Sequence, residues 1–401
     1  MPSAPKILSP SNGDGTLVVI ASVAATFDTD GVTIDDKLYS GLILYLQEWG
    51  GPVVVLTPVS VVTQAYSTRR PRHALPFRVV PFDLSDPAVQ KILADATIIL
   101  ASADDYKQLT IWRSTARPVV YIIEYTLRTR LQQIRATRAG VARKLKTLIW
   151  TLSQERPLRD ALRNGAGMQC NGTPAFAAYG WLNGRSLRYF DTRMTDALMI
   201  DDNALAAKAR RVGEPKTLRL VYSGRLETIK GAHHLVTIAR LLKDRAIDFT
   251  LEIFGTGSLL GEMQQEIADA QLEDRVKLHG AVDFASVLVP HFCDKSDLFL
   301  CCHLQDDPSC TYLETLSCGV PIAGYRNRAF EGVLELGDGG AISQTRTPAD
   351  MARLIGELNA DRHRLTRLMR TAANIGRAHS FEKVFAERIE QLRTVSNAAT
   401  A

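Results

Sequence analysis

The stretch QDDPSCTYLETLSCGVP, residues 305–321, sets two carboxylates, Asp306 and Glu314, on either side of a proline, a serine and a small apolar run. Carboxylates suit vicinal hydroxyls, because each oxygen accepts a charge-assisted hydrogen bond. Complementary charge comes from SGRLETIKG, where Arg225 and Lys230 follow an apolar run, Gly224 permits a tight turn and Gly231 opens a helix continued by Leu235, Ile238 and Leu242. An Arg fork and a mobile Lys charge together suit a diphosphate without a metal ion; a solvated helix entrance explains the same pair equally well. IFGTGS adds Gly255 and Gly257 directly after another apolar run, which is also the mark of a plain strand-to-helix turn. Ser309 is placed to cap a helix starting near Thr311, leaving free amides and the positive dipole end facing an anion. Glu314, about one turn into that helix, would then reach the hydroxyls of a ribose, and Asp306 the hydroxyls at the other end of the same ligand. Cations between two hydroxyl-binding acids describe a nucleotide sugar. The alternative for Glu314 is a solvated helix position.

These residues need strands to carry them. Short β-branched runs alternate with longer amphipathic stretches at LVVIASV (17), VVVLT (53), RVV (78), ATIIL (96) and VVYII (119), the pattern of parallel strands with helical crossovers. A second series follows at LRLVYSG (218), FTLEIFG (249), VKLHG (276), LFLCC (298) and VPIAGY (320). The expectation is an α/β chain of two doubly wound Rossmann-like domains with a cleft between them, and ligands beyond the carboxyl ends of the strands. Residues 1–205 form the acceptor-binding half, 206–216 a linker inferred from the polar, Gly/Pro-marked DDNALAAKARRVGEPK, 217–380 the donor half, and 381–401 a C-terminal helix and tail packing back on the first half.

At 401 residues the chain exceeds one ordinary core, and 46% hydrophobic with 23% charged residues fits a soluble globular protein. A net charge of +5 is too mild for coating nucleic acid, and no nucleic-acid partner is expected. Cys170, Cys293, Cys301, Cys302, Cys310 and Cys318 form no zinc-type spacing, so reduced thiols and no metal are expected. MPSAPKILSP lacks a signal-peptide profile and no apolar run is long enough to span a bilayer, which points to a cytoplasmic chain with at most peripheral membrane contact.

Taken in order, SGRLETIKG, IFGTG, RVKLHGAV, SDLFL and the acidic pair with LETLSCGVPI resemble the donor half of the retaining, nucleotide-sugar-dependent glycosyltransferases of family four, the group 1 enzymes, which have the GT-B architecture. The resemblance covers residues 218–344, about a third of the chain. It implies that Arg225 and Lys230 hold the diphosphate, Glu314 the ribose and Asp306 the transferred sugar. Backbone near Ser309, Thr311, Tyr312 and Leu313 would complete the donor pocket. It also implies a front-face displacement with no cofactor beyond the donor. Two positions depart from the family: Asp306 is one methylene shorter than the usual glutamate, and the strand VVYII runs into Glu124 and Tyr125 where a histidine is usual. Glu124 either meets the sugar or acceptor differently or is structural. The first strand lacks a Gly-rich loop and carries Asp28, Asp30, Asp35 and Asp36 instead, either acceptor contacts or an exposed acidic loop.

From 127 to 163 there are ten Lys or Arg (Arg128, Arg130, Arg135, Arg138, Arg143, Lys144, Lys146, Arg156, Arg159, Arg163) against Glu155 and Asp160, with no strand candidate and with leucines at helical spacing. Such a segment lies on an anionic membrane, or packs its stripe on the first sheet and solvates its cations. The expected activity is transfer of a hexose to a hydroxyl of a saccharide acceptor, lipid-linked if the basic segment touches the inner face of the cell membrane, in cell-surface polysaccharide assembly. A nucleotide-sugar-binding protein without turnover and a nucleotide-sugar epimerase are the alternatives.

Overall fold

The computed structural model describes residues 15–62, 67–137, 139–214 and 216–400. The MPSAPKILSP stretch, Arg138 of the basic segment, Pro215 of the linker and Ala401 lie outside the described residues. Two parallel sheets form the body. The first runs, in spatial order, Ser186–Tyr189, Gly167–Asn171, Val119–Ile123, Ile98–Ser102, Leu17–Ile20, Val53–Thr57 and Arg78–Pro81. The second runs Val276–Gly280, Phe249–Phe254, Leu218–Ser223, Leu298–Cys301, Ile322–Tyr325 and Gly340–Ser343. Their central strands are buried on both faces, which is why they read as continuous apolar runs. In each sheet the strand order reverses beside the first strand, between Leu17–Ile20 and Ile98–Ser102 and between Leu218–Ser223 and Leu298–Cys301. Such a reversal splays the following loops apart and opens a crevice at the carboxyl ends.

Every strand expected from an apolar run is present. Three that were not expected, Gly167–Asn171, Ser186–Tyr189 and Gly340–Ser343, complete the sheets. The supposed linker is instead largely helical: Asp202–Gly213 is a helix that buries Leu205, Lys208, Ala209 and Val212 and packs on the helix Arg362–Ala378. Its polarity belongs to the outer face, and its buried Lys208 is satisfied by the carbonyls of Phe292 and Cys318 at 2.7 and 3.0 Å. The C-terminal helix Phe381–Thr400 returns to the first half, where Phe385, Ile389, Leu392 and Val395 share a core with Leu17, Val55 and Trp49.

The acidic loop after the first strand is a small antiparallel sheet, Thr26–Phe27, Gly31–Asp35 and Ser67–Pro71. Its acids are used structurally. Asp28 and Asp30 receive Arg69, Asp36 pairs with Arg70, and Asp35 caps the helix Asp36–Trp49 by accepting from the Leu38 amide at 2.8 Å.

Candidate functional site

The three loops that follow Leu218–Ser223, Phe249–Phe254 and Leu298–Cys301 rest on one another. The Leu226 amide donates to the Thr256 carbonyl at 2.9 Å, and the Leu304 amide to that of Ile229 at 3.1 Å. Glycine is needed where they touch. A Cβ on Gly255, whose φ is +130°, would stand 2.0 Å from the Gly224 carbonyl oxygen, and one on Gly231, at φ +69°, would stand 1.9 Å from that of Cys302. Gly257 meets the Leu226 backbone in the same way. Gly255 and Gly257, singled out with Gly224 as donor contacts, are thus first of all residues that let one loop lie on the next, whereas a Cβ on Gly224 would meet only the Tyr222 ring, 3.1 Å from its hydroxyl.

On this platform Arg225 is exposed, and its guanidinium has no hydrogen bond or ion pair among the described residues. Lys230 is buried and paired with Asp307, whose carboxylate also accepts from Gln305 Nε2 at 2.9 Å. Burial, reinforced by Lys230 and then Arg225, holds His303 well below its usual pKa, so the imidazole stays neutral beside the two cations. Tyr125, from the first half, completes this corner. Burial and then the Asp307 carboxylate push its hydroxyl up, while Arg225 acts in the opposite sense.

The helix carrying Glu314 starts at Thr311 as expected, but Ser309 does not cap it. Cys310 occupies the N-cap without a side-chain cap, because the Ser309 hydroxyl turns to the Thr311 hydroxyl at 3.2 Å. Tyr312 and Leu313 are buried in the helix's own core, with the Tyr312 hydroxyl 3.4 Å from His303 Nδ1. Glu314 is not a solvated helix residue. It is 3% exposed, and Arg193 grips it in a fork, Nε to Oε1 at 2.6 Å and Nη2 to Oε2 at 3.1 Å. The other face of that guanidinium covers the Phe284 ring at 3.9 Å, which fixes its plane.

Asp306 is held by the first half. Oδ2 accepts from Arg128 at 2.8 Å and from Gln132 at 3.0 Å, while Oδ1 accepts from the Arg328 amide at 2.8 Å. Its own amide and carbonyl are bound by Gln132 at 2.9 Å and Thr129 at 3.2 Å. Arg128, Thr129 and Gln132 all lie on the helix Leu127–Ala136, so one turn of the first half clamps the loop of the second.

Glu124 follows the strand Val119–Ile123 and accepts from Asn171 Nδ2 at 3.2 Å. Burial, then the negative charge of Asp104 and Asp191, pushes its carboxyl up to about 7, against the pull of Lys37 and Asn171. The charges that act most on it are those of Asp104, Asp191 and Lys37. Lys37 pairs with Asp191 and reaches Cys310 Sγ at 3.1 Å, and the Asn171 side-chain Oδ1 accepts from the Asp191 backbone amide at 3.1 Å. Burial opposes the charge on Lys37, but Cys310 and Asp191 outweigh it and hold the amine protonated.

Asp307, Arg193, Lys37, Asn171 and Asp191 escaped the sequence reading. Asp307 sits beside Asp306 in the same motif, and an acid doublet there was a usable signal. Asn171 ends one strand and Asp191 lies just beyond the end of another, in the very position searched elsewhere, but GMQCN and SLRY were not recognised as strands. Arg193 and Lys37 carried no periodic or motif signal.

Residues 206–375 match the family described as glycosyl transferases group 1. D-inositol 3-phosphate glycosyltransferase of Paenarthrobacter aurescens is 25% identical over 191 residues, 47% of this chain and 46% of that protein. The protein of the same name from Pseudarthrobacter chlorophenolicus is 28% identical over 155 residues, 37% of this chain and 36% of its own. The chain thus aligns with under half the length of the curated relatives it matches. Among solved structures, HepE from Anabaena in complex with UDP aligns over 95% of this chain and 100% of its own, with TM-score 0.65 and 15% identity. Sucrose-phosphate synthase from Thermosynechococcus elongatus aligns over 96% and 99%, with TM-score 0.64 and 14% identity. At these identities the likeness concerns the fold, which is GT-B.

Proposed function

We propose that the chain is a glycosyltransferase that moves a hexose from a nucleotide diphosphate sugar to a saccharide hydroxyl with retention of configuration. The observation that carries this reading is the convergence of Arg225, Lys230 and the Asp306–Glu314 loop at the strand reversal of the second sheet, inside the residues that match group 1 glycosyl transferases. HepE, of the same fold, is described in complex with UDP and with UDP-glucose. In this reading Arg225, which has no protein partner among the described residues, takes the diphosphate with Lys230, and Asp307 keeps the Lys230 amine aimed. Glu314 takes the ribose hydroxyls once Arg193 shifts or shares its carboxylate.

The bond from the anomeric carbon to the phosphate oxygen breaks and leaves an oxocarbenium-like sugar. Cations on the phosphate stabilise the charge that develops on the leaving oxygen. The acceptor oxygen forms the new bond on the same face, and its proton passes to the departing phosphate. No step needs a metal. A lipid-linked saccharide in cell-surface polysaccharide assembly is the acceptor we favour, on the strength of the basic segment. Full engagement of Asp306 by Arg128 and Gln132 favours a second reading, a nucleotide-sugar-binding protein without turnover.

A thermal-shift screen of UDP-, GDP- and ADP-sugars selects the donor. Release of free nucleoside diphosphate from that donor is then followed with and without saccharide acceptors. Release that depends on acceptor supports transfer; binding without release supports the second reading; and conversion to an epimeric donor with no acceptor present overturns both.

A further inference from the structure

The basic segment is two helices, Leu127–Ala136 and Val141–Asn164, with different fates. Arg128 and Arg130 of the first are committed to Asp306 and Asp104. The second buries only Thr151, Leu158, Ala161 and Leu162, none of them in its first ten residues, and Trp150 packs edge-on against Tyr106 at 5.5 Å. On the opposite side Val141, Leu145, Ile149 and Leu152 recur at helical spacing and are 84%, 54%, 61% and 49% exposed. An apolar stripe of four large side chains facing water is uncommon unless something covers it. Its borders are cationic. Lys146 and Arg156 are exposed and have no ion-pair partner among the described residues. The acids are neutralised, since Glu155 receives Arg159 and Arg130 and Asp160 receives Arg113. Stripe and charge together match an anionic lipid surface, into which apolar side chains insert while cations sit at the headgroups.

We propose that the outer face of the helix Val141–Asn164, along Val141, Leu145, Ile149 and Leu152 with Lys146 and Arg156, docks the protein on an anionic phospholipid bilayer. The opposite face meets the first sheet at Leu158, Ala161 and Leu162, which share a core with Val119 and Tyr121, so docking leaves the body of that half intact. The inference stands on this exposed face alone, and its failure would leave the transfer reading untouched.

The test is co-sedimentation of the purified chain with vesicles of phosphatidylcholine alone and of phosphatidylcholine with phosphatidylglycerol, at several salt concentrations. The parent should partition at least tenfold more strongly onto the anionic vesicles, with the excess fading as salt rises. Leu145→Gln, Ile149→Gln and Leu152→Gln together keep good helix formers and should lower partitioning at least tenfold. Lys146→Gln and Arg156→Gln should each lower it about fivefold, and only on anionic vesicles. Circular dichroism and donor binding should match the parent in all variants. Equal sedimentation of parent and triple glutamine variant would overturn the proposal. So would light scattering that shows a parent dimer which the triple variant splits, because the stripe would then be covered by a second copy.

Discussion

Glu124 stands where half-burial and two neighbouring carboxylates leave a side chain that changes protonation near pH 7. An unfolded glutamate titrates near about 4.3. Its folded value is raised, so the stability this group contributes is complete below about pH 4.3 and is lost as pH rises through about 7. The melting temperature of the parent minus that of Glu124→Gln should therefore fall across that window and level off above it; a difference that stays flat with pH contradicts the assignment. The two cations proposed for the diphosphate should behave differently. Arg225 is exposed, so Arg225→Ala should leave the melting temperature unchanged while weakening nucleoside diphosphate binding by about 1.5–3 kcal/mol. Lys230 is buried against Asp307, so Lys230→Met alone strands a carboxylate and should also destabilise the fold. Adding Asp307→Asn should recover the stability but not the binding. Calorimetry in which Arg225→Ala binds as tightly as the parent removes it from the site. At this scale the sequence showed the residues that motifs make visible, Arg225, Lys230, Asp306 and Glu314. It could not show their partners: Arg193 meets Glu314 across 121 positions and Gln132 meets Asp306 across 174, distances over which local pattern carries no information.

Among the elements, strands were legible in proportion to their apolarity. Val53–Thr57 and Leu298–Cys301 are almost wholly buried and read as unbroken apolar runs. Gly167–Asn171 is just as buried, but its polar Gln169 is satisfied by Arg388 from the C-terminal helix, at 2.8 Å to the guanidinium and 2.9 Å to the carbonyl. A strand whose polar groups are satisfied by a distant helix hides its period. The helix Asp202–Gly213 was misread for the opposite reason, since only one narrow face is buried. The glycine turns were legible as turns, and their cause became clear only in the packing of loop on loop. Gly255→Ala would place a Cβ 2.0 Å from a backbone oxygen at a left-handed φ, and neither can move without parting two loops. It should cost at least about 2 kcal/mol and lower the midpoint of urea unfolding. A midpoint equal to the parent's would mean that the platform tolerates a gap there.

For the molecule as a whole, the two halves meet beside the proposed donor site through polar contacts: Arg128 and Gln132 on Asp306, and Lys37 on Cys310. Removing both first-half donors to the Asp306 carboxylate in Arg128→Ala with Gln132→Ala leaves Oδ2 of buried Asp306 unpaired, so the halves should separate. Small-angle scattering should then report a larger radius of gyration that returns toward the parent's when donor is added. An unchanged radius would show that other contacts hold the halves together. The central claim is that this cleft transfers a sugar with its configuration kept. Proton NMR tests it most directly, by following an α-linked nucleotide sugar and an acceptor together in the presence of the protein. The account predicts that the donor's anomeric signal is replaced by that of an α-linked product, in step with nucleoside diphosphate and only when acceptor is present. A β-linked product, or a donor signal that persists undiminished with every acceptor tried, would contradict it.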